Sequence, residues 1–164
     1  MFNDFLKFVN LMNYPRYDYS TENNLNIFEF ESVGNKGKIT KIVQYTEMTV
    51  KGYFNLGFGD LDIETREVND EIITNNGDGQ KVLATVVSTI YSVTGRNPEA
   101  YIYATGSSES RTRLYRMGIT NNLIELKKDF YVFGLKNDEE FEPFIIGEDY
   151  LGFLVKRKKK NIWM

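Results

Sequence analysis

The chain has 164 residues, a formal charge of −3, 41% hydrophobic, 26% charged and 15% aromatic residues, the size and balance of one domain with a real core. It contains no cysteine and no histidine. That excludes disulfides, thiolate metal sites, cysteine nucleophiles, Ser-His-Asp triads and nearly every zinc or non-haem iron site, so acid–base chemistry falls to Asp, Glu, Lys, Tyr, a terminus or a water chain.

Phe2, Phe5, Leu6 and Val9 recur at helical spacing and predict a short amphipathic helix. Residues 13–24 are polar and tyrosine-rich with Pro15, and read as a loop, so 1–24 forms an N-terminal helix and loop. From Asn26 to Glu31, Phe28 and Phe30 alternate with Glu29 and Glu31, a strand with one wet face. Gly34-Asn35-Lys36-Gly37 is a turn, and Ile39, Val43 and Tyr45 continue the two-residue beat, so the two strands pair as a hairpin. A third strand covers Tyr53 to Phe58. Leu61 and Ile63 have the opposite parity, which predicts a bulge or turn at Gly57 and Gly59. Asp60 to Asp78 is an acidic excursion.

From Gln80 the period becomes helical, with Val82, Leu83, Val86, Val87, Ile90 and Tyr91 on one stripe, ending near Gly95. Ala100 to Ala104 is apolar throughout and predicts a central strand. Ser107 to Met117 is the second main helix, with Gly118 as its stop, and Thr120 caps a short third helix through Leu126. Strands are expected at Tyr131 to Leu135, Phe141 to Ile146 and Tyr150 to Val155, followed by a basic tail over 156–164. Hairpins on one side and a strand–helix–strand crossover on the other predict a single α+β domain over 1–164. Its mixed, mostly antiparallel sheet carries two main helices.

Thr105-Gly106-Ser107-Ser108 leads into a helix carrying Arg111, Arg113 and Arg116. Amides at a helix start, hydroxyls and guanidiniums are the ingredients of a phosphate site. The competing reading makes Ser107 or Ser108 an N-cap, with Glu109 favouring the helix dipole and the arginines solvated or paired. Asp60, Asp62 and Glu64 alternate, as for a hard cation, or form an acidic edge that resists aggregation. No metal is assigned.

The element order resembles the GNAT acyl-CoA N-acetyltransferase superfamily over Tyr53 to Ile119. Thr74-Asn75-Asn76-Gly77-Asp78-Gly79 is similar to that family's Gln/Arg-x-x-Gly-x-Gly/Ala loop, with Thr for the first residue. Leu114-Tyr115-Arg116-Met117-Gly118-Ile119 is similar to its Leu-Tyr pair before Gly-Phe, one residue short and with Ile for Phe. The resemblance implies that Gly77 and Gly79 hold the CoA pyrophosphate, that Tyr115 protonates the leaving thiolate, and that Asp60 or Glu64 relays the amine proton. The whole chain also resembles an uncharacterised bacterial protein family. Asn55-Leu56-Gly57-Phe58-Gly59-Asp60, Asn75-Asn76-Gly77-Asp78, Val82-Leu83-Ala84-Thr85-Val86 and Gly106 through Arg116 carry that likeness. It implies a group and no activity.

Two functional expectations follow. One is a phosphate-recognising pocket at the two glycine-marked helix starts, taking acyl-CoA or a nucleotide. The other is a non-catalytic module of toxin–antitoxin or phage-defence type, binding a protein or RNA partner. For RNA, Lys156 to Lys160 with Trp163 would meet phosphate, although such a run is also an ordinary soluble tail. No apolar run approaches a membrane span, and the first dozen residues lack the charged lead and clean hydrophobic block of a signal peptide. The expected location is the cytoplasm.

Overall fold

Phe28 and Phe30 point the same way from their strand, and so do Val43 and Tyr45 from the next; all four are buried. This shared inner face organises the computed structural model, which describes residues 15–22, 26–69 and 72–159. The helix expected over Phe2 to Val9 lies outside the described residues. β1 (Ser20–Thr21), β2 (Ile27–Gly34), β3 (Gly37–Glu47) and β4 (Tyr53–Asp60) form an antiparallel meander. Gly34 pairs with Gly37 across the expected tight turn, where Gly37 has φ 85° and needs no Cβ.

α1 (Gly79–Arg96) then crosses over to β5 (Tyr101–Ala104), which lies parallel to β4. α2 (Glu109–Asn121) and α3 (Leu123–Asp129) follow, then β6 (Phe130–Leu135), β7 (Phe141–Pro143) and β8 (Gly152–Arg157). β8 returns to the middle, antiparallel to both β5 and β6, so the sheet order is β1-β2-β3-β4-β5-β8-β6-β7. The fold is a single α+β domain with a mixed sheet. Val82, Val86 and Ile90 of α1, Ile119 of α2 and Leu126 of α3 share one core cluster with Val43, Phe58, Ile102 and Val155. The three helices therefore cover one face of the sheet.

Three expectations need correction. Gly57 and Gly59 make no bulge, because β4 pairs regularly with β3 as far as Asp60. Their missing side chains face the segment after β4. That segment folds back through a Leu61–Val68 bridge and sets Val68 Cγ1 where a Cβ on Gly59 would meet it at 3.0 Å. Gly118 does not stop α2. It lies within the helix, and a Cβ there would come 3.4 Å from Leu83 of α1, so the glycine allows two helices to approach. The short third helix starts at Leu123 behind Asn122, not at Thr120.

The basic run is also not wholly a tail, since Lys156 and Arg157 belong to β8. Lys156 donates to the Pro98 carbonyl (2.8 Å). Arg157 donates to Thr94 (3.1 Å) and Tyr91, and Lys158 to the Lys127 carbonyl (2.6 Å). Lys160 and Trp163 lie outside the described residues.

Candidate functional site

β4 and β5 pair over only three residues each, from Tyr53–Tyr101 to Asn55–Tyr103. β4 then runs on to Asp60 while β5 ends at Ala104, so the two parallel strands part at their carboxyl ends. Crevices beyond the carboxyl ends of parallel strands are where open α/β sheets take ligands, because loops and helix starts converge there. Here the parting opens onto a polar cleft of about 350 Å³ on the sheet face away from the core.

Three walls build it. Gln44 and Thr46 of β3 and Asn55 and Gly57 of β4 alternate with core residues, so strand parity alone turns them outward. The segment after β4 contributes Glu67 and Val68, and the Val68 amide donates to the Gln44 side chain (3.4 Å). Thr105, Gly106, Ser107 and Arg111 close the third side, at the start of α2. Ser108 is the N-cap, its hydroxyl accepting from the Arg111 amide (3.3 Å). The Arg111 guanidinium reaches across to the Asn69 carbonyl, tying α2 to the returning segment.

Tyr115 closes the floor. Its hydroxyl accepts from the Phe58 amide (3.1 Å) and donates to the Leu56 carbonyl (3.4 Å), backbone groups of β4 that have no β5 partner once the strands part. Burial pushes its phenol up to about 12, against the backbone bond and the Arg111 charge, which favour ionisation. It is a neutral donor at every ordinary pH. Behind it, among the core residues, lies an apolar cavity of about 40 Å³ that Tyr115 also borders.

Of the residues singled out in the sequence, Ser107, Arg111 and Tyr115 line this cleft. Ser108 caps the helix beside it. Arg113 is exposed, and Arg116 is paired with Asp149. Gly77 and Gly79 are elsewhere. The start of α1 packs against the β2–β3 turn, where a Cβ on Gly77 would meet Asn35 at 2.7 Å, and no residue from 74 to 79 lines the cleft. A carboxylate already occupies that start: Asp78 accepts from Ser32 (2.6 Å) and Tyr17 (2.6 Å). Burial works against its charge, but those two hydrogen bonds, helped by Lys41, hold its carboxyl below the usual range. A phosphate there would meet a fixed anion. The two glycine-marked helix starts thus do not converge.

Asp60 faces the core side, held by the buried Lys41 and by the Thr74 amide (3.1 Å) and hydroxyl (2.6 Å). Glu64 is exposed on the turn after β4, its amide donating to Asp62 (2.9 Å). Neither carboxylate lines the cleft; the one that does is Glu67, which sequence reasoning missed along with Gln44, Thr46 and Asn55. The only signal for Gln44, Thr46 and Asn55 was outward parity on strands whose inward residues were recognised, and Glu67 had none beyond its place in the acidic stretch. Among the described residues no group of three or more carboxylates is gathered to hold a metal ion, and no helix is long and apolar enough to cross a membrane.

The chain belongs to a family of unknown function, DUF6934, whose profile matches residues 13–158. No curated protein and no solved structure matches it.

Proposed function

We propose that the protein binds a phosphate-bearing small molecule, acyl-CoA first among the candidates, in the cleft where β4 and β5 part. The observation that carries this reading is the convergence of a lone parallel strand pair, an α2 start and Arg111 on one polar hollow. A guanidinium has five N–H donors and the Asn69 carbonyl takes one, so the same side chain can brace the loop and grip an anion. The α2 dipole adds positive potential at the same mouth. The resemblance of the element order over Tyr53 to Ile119 to that of GNAT domains is what favours acyl-CoA over other phosphate esters.

Magnitudes favour binding over the general-acid role that the resemblance implied for Tyr115. A phenol near 12 is a much weaker acid than a thiol, whose reference value is about 8.5, so full proton transfer to a thiolate is uphill by roughly 5 kcal/mol. Tyr115 serves as a hydrogen-bond donor in the floor. If acyl transfer to an amine occurs, Glu67 is the cleft carboxylate available to take the amine proton.

Calorimetric titration with CoA and with ADP tests the reading. Saturable binding that weakens at least about tenfold in Arg111→Gln and falls with added salt is the expected result, since a charge-assisted contact of this kind contributes about 1.5–3 kcal/mol. Millimolar CoA and ADP giving neither heat nor a rise in melting temperature would remove it.

A further inference from the structure

We propose that Tyr115 is a gate between the polar cleft and the apolar cavity behind it, and that the ligand carries a short apolar tail which fills the cavity when the ring swings aside. This rests on the cleft being the ligand site. The same side chain borders both spaces, on opposite sides of the gap where β4 and β5 part. The cavity wall is carbon from Leu83, Val86, Ile102, Ala104, Leu126 and Phe153, together with the Tyr115 ring. Such a hollow offers water no partners and stays dry, and it is an uncommon feature in cores packed as densely as crystals.

Its size sets the tail. A water needs about 10–15 Å³ of comparable volume, so about 40 Å³ takes roughly three water-sized groups, or about three methyl and methylene units. The latch is two hydrogen bonds, one of ordinary length from the Phe58 amide (3.1 Å) and a long one from the hydroxyl to the Leu56 carbonyl (3.4 Å), and burial of the tail must offset their loss. Rotating the ring exposes the cavity to the cleft without moving a strand. The ligand is therefore amphiphilic, with an anionic body at Arg111 and a tail about as long as a butyryl chain behind Tyr115.

Calorimetry with CoA, acetyl-CoA, butyryl-CoA and octanoyl-CoA on the full chain tests this. Each methylene moved from water into the cavity tightens binding about fourfold, so butyryl-CoA should bind about 15-fold tighter than acetyl-CoA. Octanoyl-CoA should gain nothing more, because the space is full. Ala104→Val fills the cavity from β5 and Val86→Ile fills it from α1. Ala104→Val adds two carbons and should remove the butyryl advantage, Val86→Ile adds one and should cut it about fourfold, both leaving CoA itself unchanged, and the second keeps the test available if the first does not fold. CoA binding that ignores chain length, or a butyryl advantage undiminished in both variants, overturns the gate and leaves the cleft reading standing. No binding by any of the four overturns both.

Discussion

Lys41 is a lysine with 1% of its side chain exposed, and its ammonium group lies between the Asp60 carboxylate and the Thr74 carbonyl (2.8 Å). Replacing it by Met keeps most of the aliphatic stem and deletes the charge, so packing changes little. Asp60 then remains largely covered, held only by the Thr74 amide and hydroxyl. Breaking a buried pair by removing one partner costs about 3–5 kcal/mol, because the remaining charge is uncompensated. For a chain of this length each kcal/mol lowers the melting temperature by about 2–4 °C, which gives a fall of roughly 6–20 °C. Urea unfolding and thermal melts measure both quantities. Lys41→Met combined with Asp60→Asn removes the orphaned charge while keeping an acceptor for Thr74, so it should recover more than half of the loss. A single variant costing under about 1 kcal/mol, or a double variant no better than the single, would refute the claim that this pair is desolvated and coupled.

Asp78 gives a pH prediction. Its carboxyl has a lower pKa folded than the 3.8 of the free group, so its stabilising contribution is complete above that value and is lost as pH falls through the folded value. Asp78→Asn should flatten the acid limb of the stability curve in urea titrations at a series of pH values; an unchanged limb would contradict it. Gly134→Ala should destabilise by about 1–3 kcal/mol, because the new Cβ would lie 2.5 Å from the Tyr150 ring, and chemical denaturation reads this directly. Tyr115→Phe leaves the Phe58 amide without its acceptor, so a loss of about 1–3 kcal/mol is expected with the fold retained by circular dichroism. In the parent protein, ultraviolet titration should find a group of late phenols, Tyr45, Tyr91 and Tyr115 among them, that ionise only above the usual value of about 10 because they are buried.

The elements were legible where one physical rule acted alone. Phe28 and Phe30 against Glu29 and Glu31 declare a strand with one wet face, and the Val82–Ile90 stripe declares a helix. Misreadings came where tertiary contact supplied the reason for a residue. Gly118 looks like a helix stop but exists for Leu83, and Gly57 and Gly59 look like a bulge but exist for Val68. Lys41 falls on the inward beat of Ile39, Val43 and Tyr45, and only the return of Asp60 and Thr74 supplies the partners that let a lysine be buried there. The α2 start was visible because its glycine, serines and Arg111 are contiguous in the chain. The rest of the cleft was not visible, since Gln44, Asn55 and Glu67 come from three segments joined only by register and by the fold-back at Leu61.

The last strand among the described residues, β8, is an interior strand in space. β8 is the piece that joins β5 to β6, so during synthesis the ribosome must release the chain as far as Arg157 before the two halves of the sheet can be sewn together. The β1–β4 meander can assemble as it emerges, whereas β6 and β7 wait as a hairpin with an open seam. Any premature stop upstream of Gly152 would leave two bare strand borders facing each other, the kind of surface that chaperones hold and proteases clear.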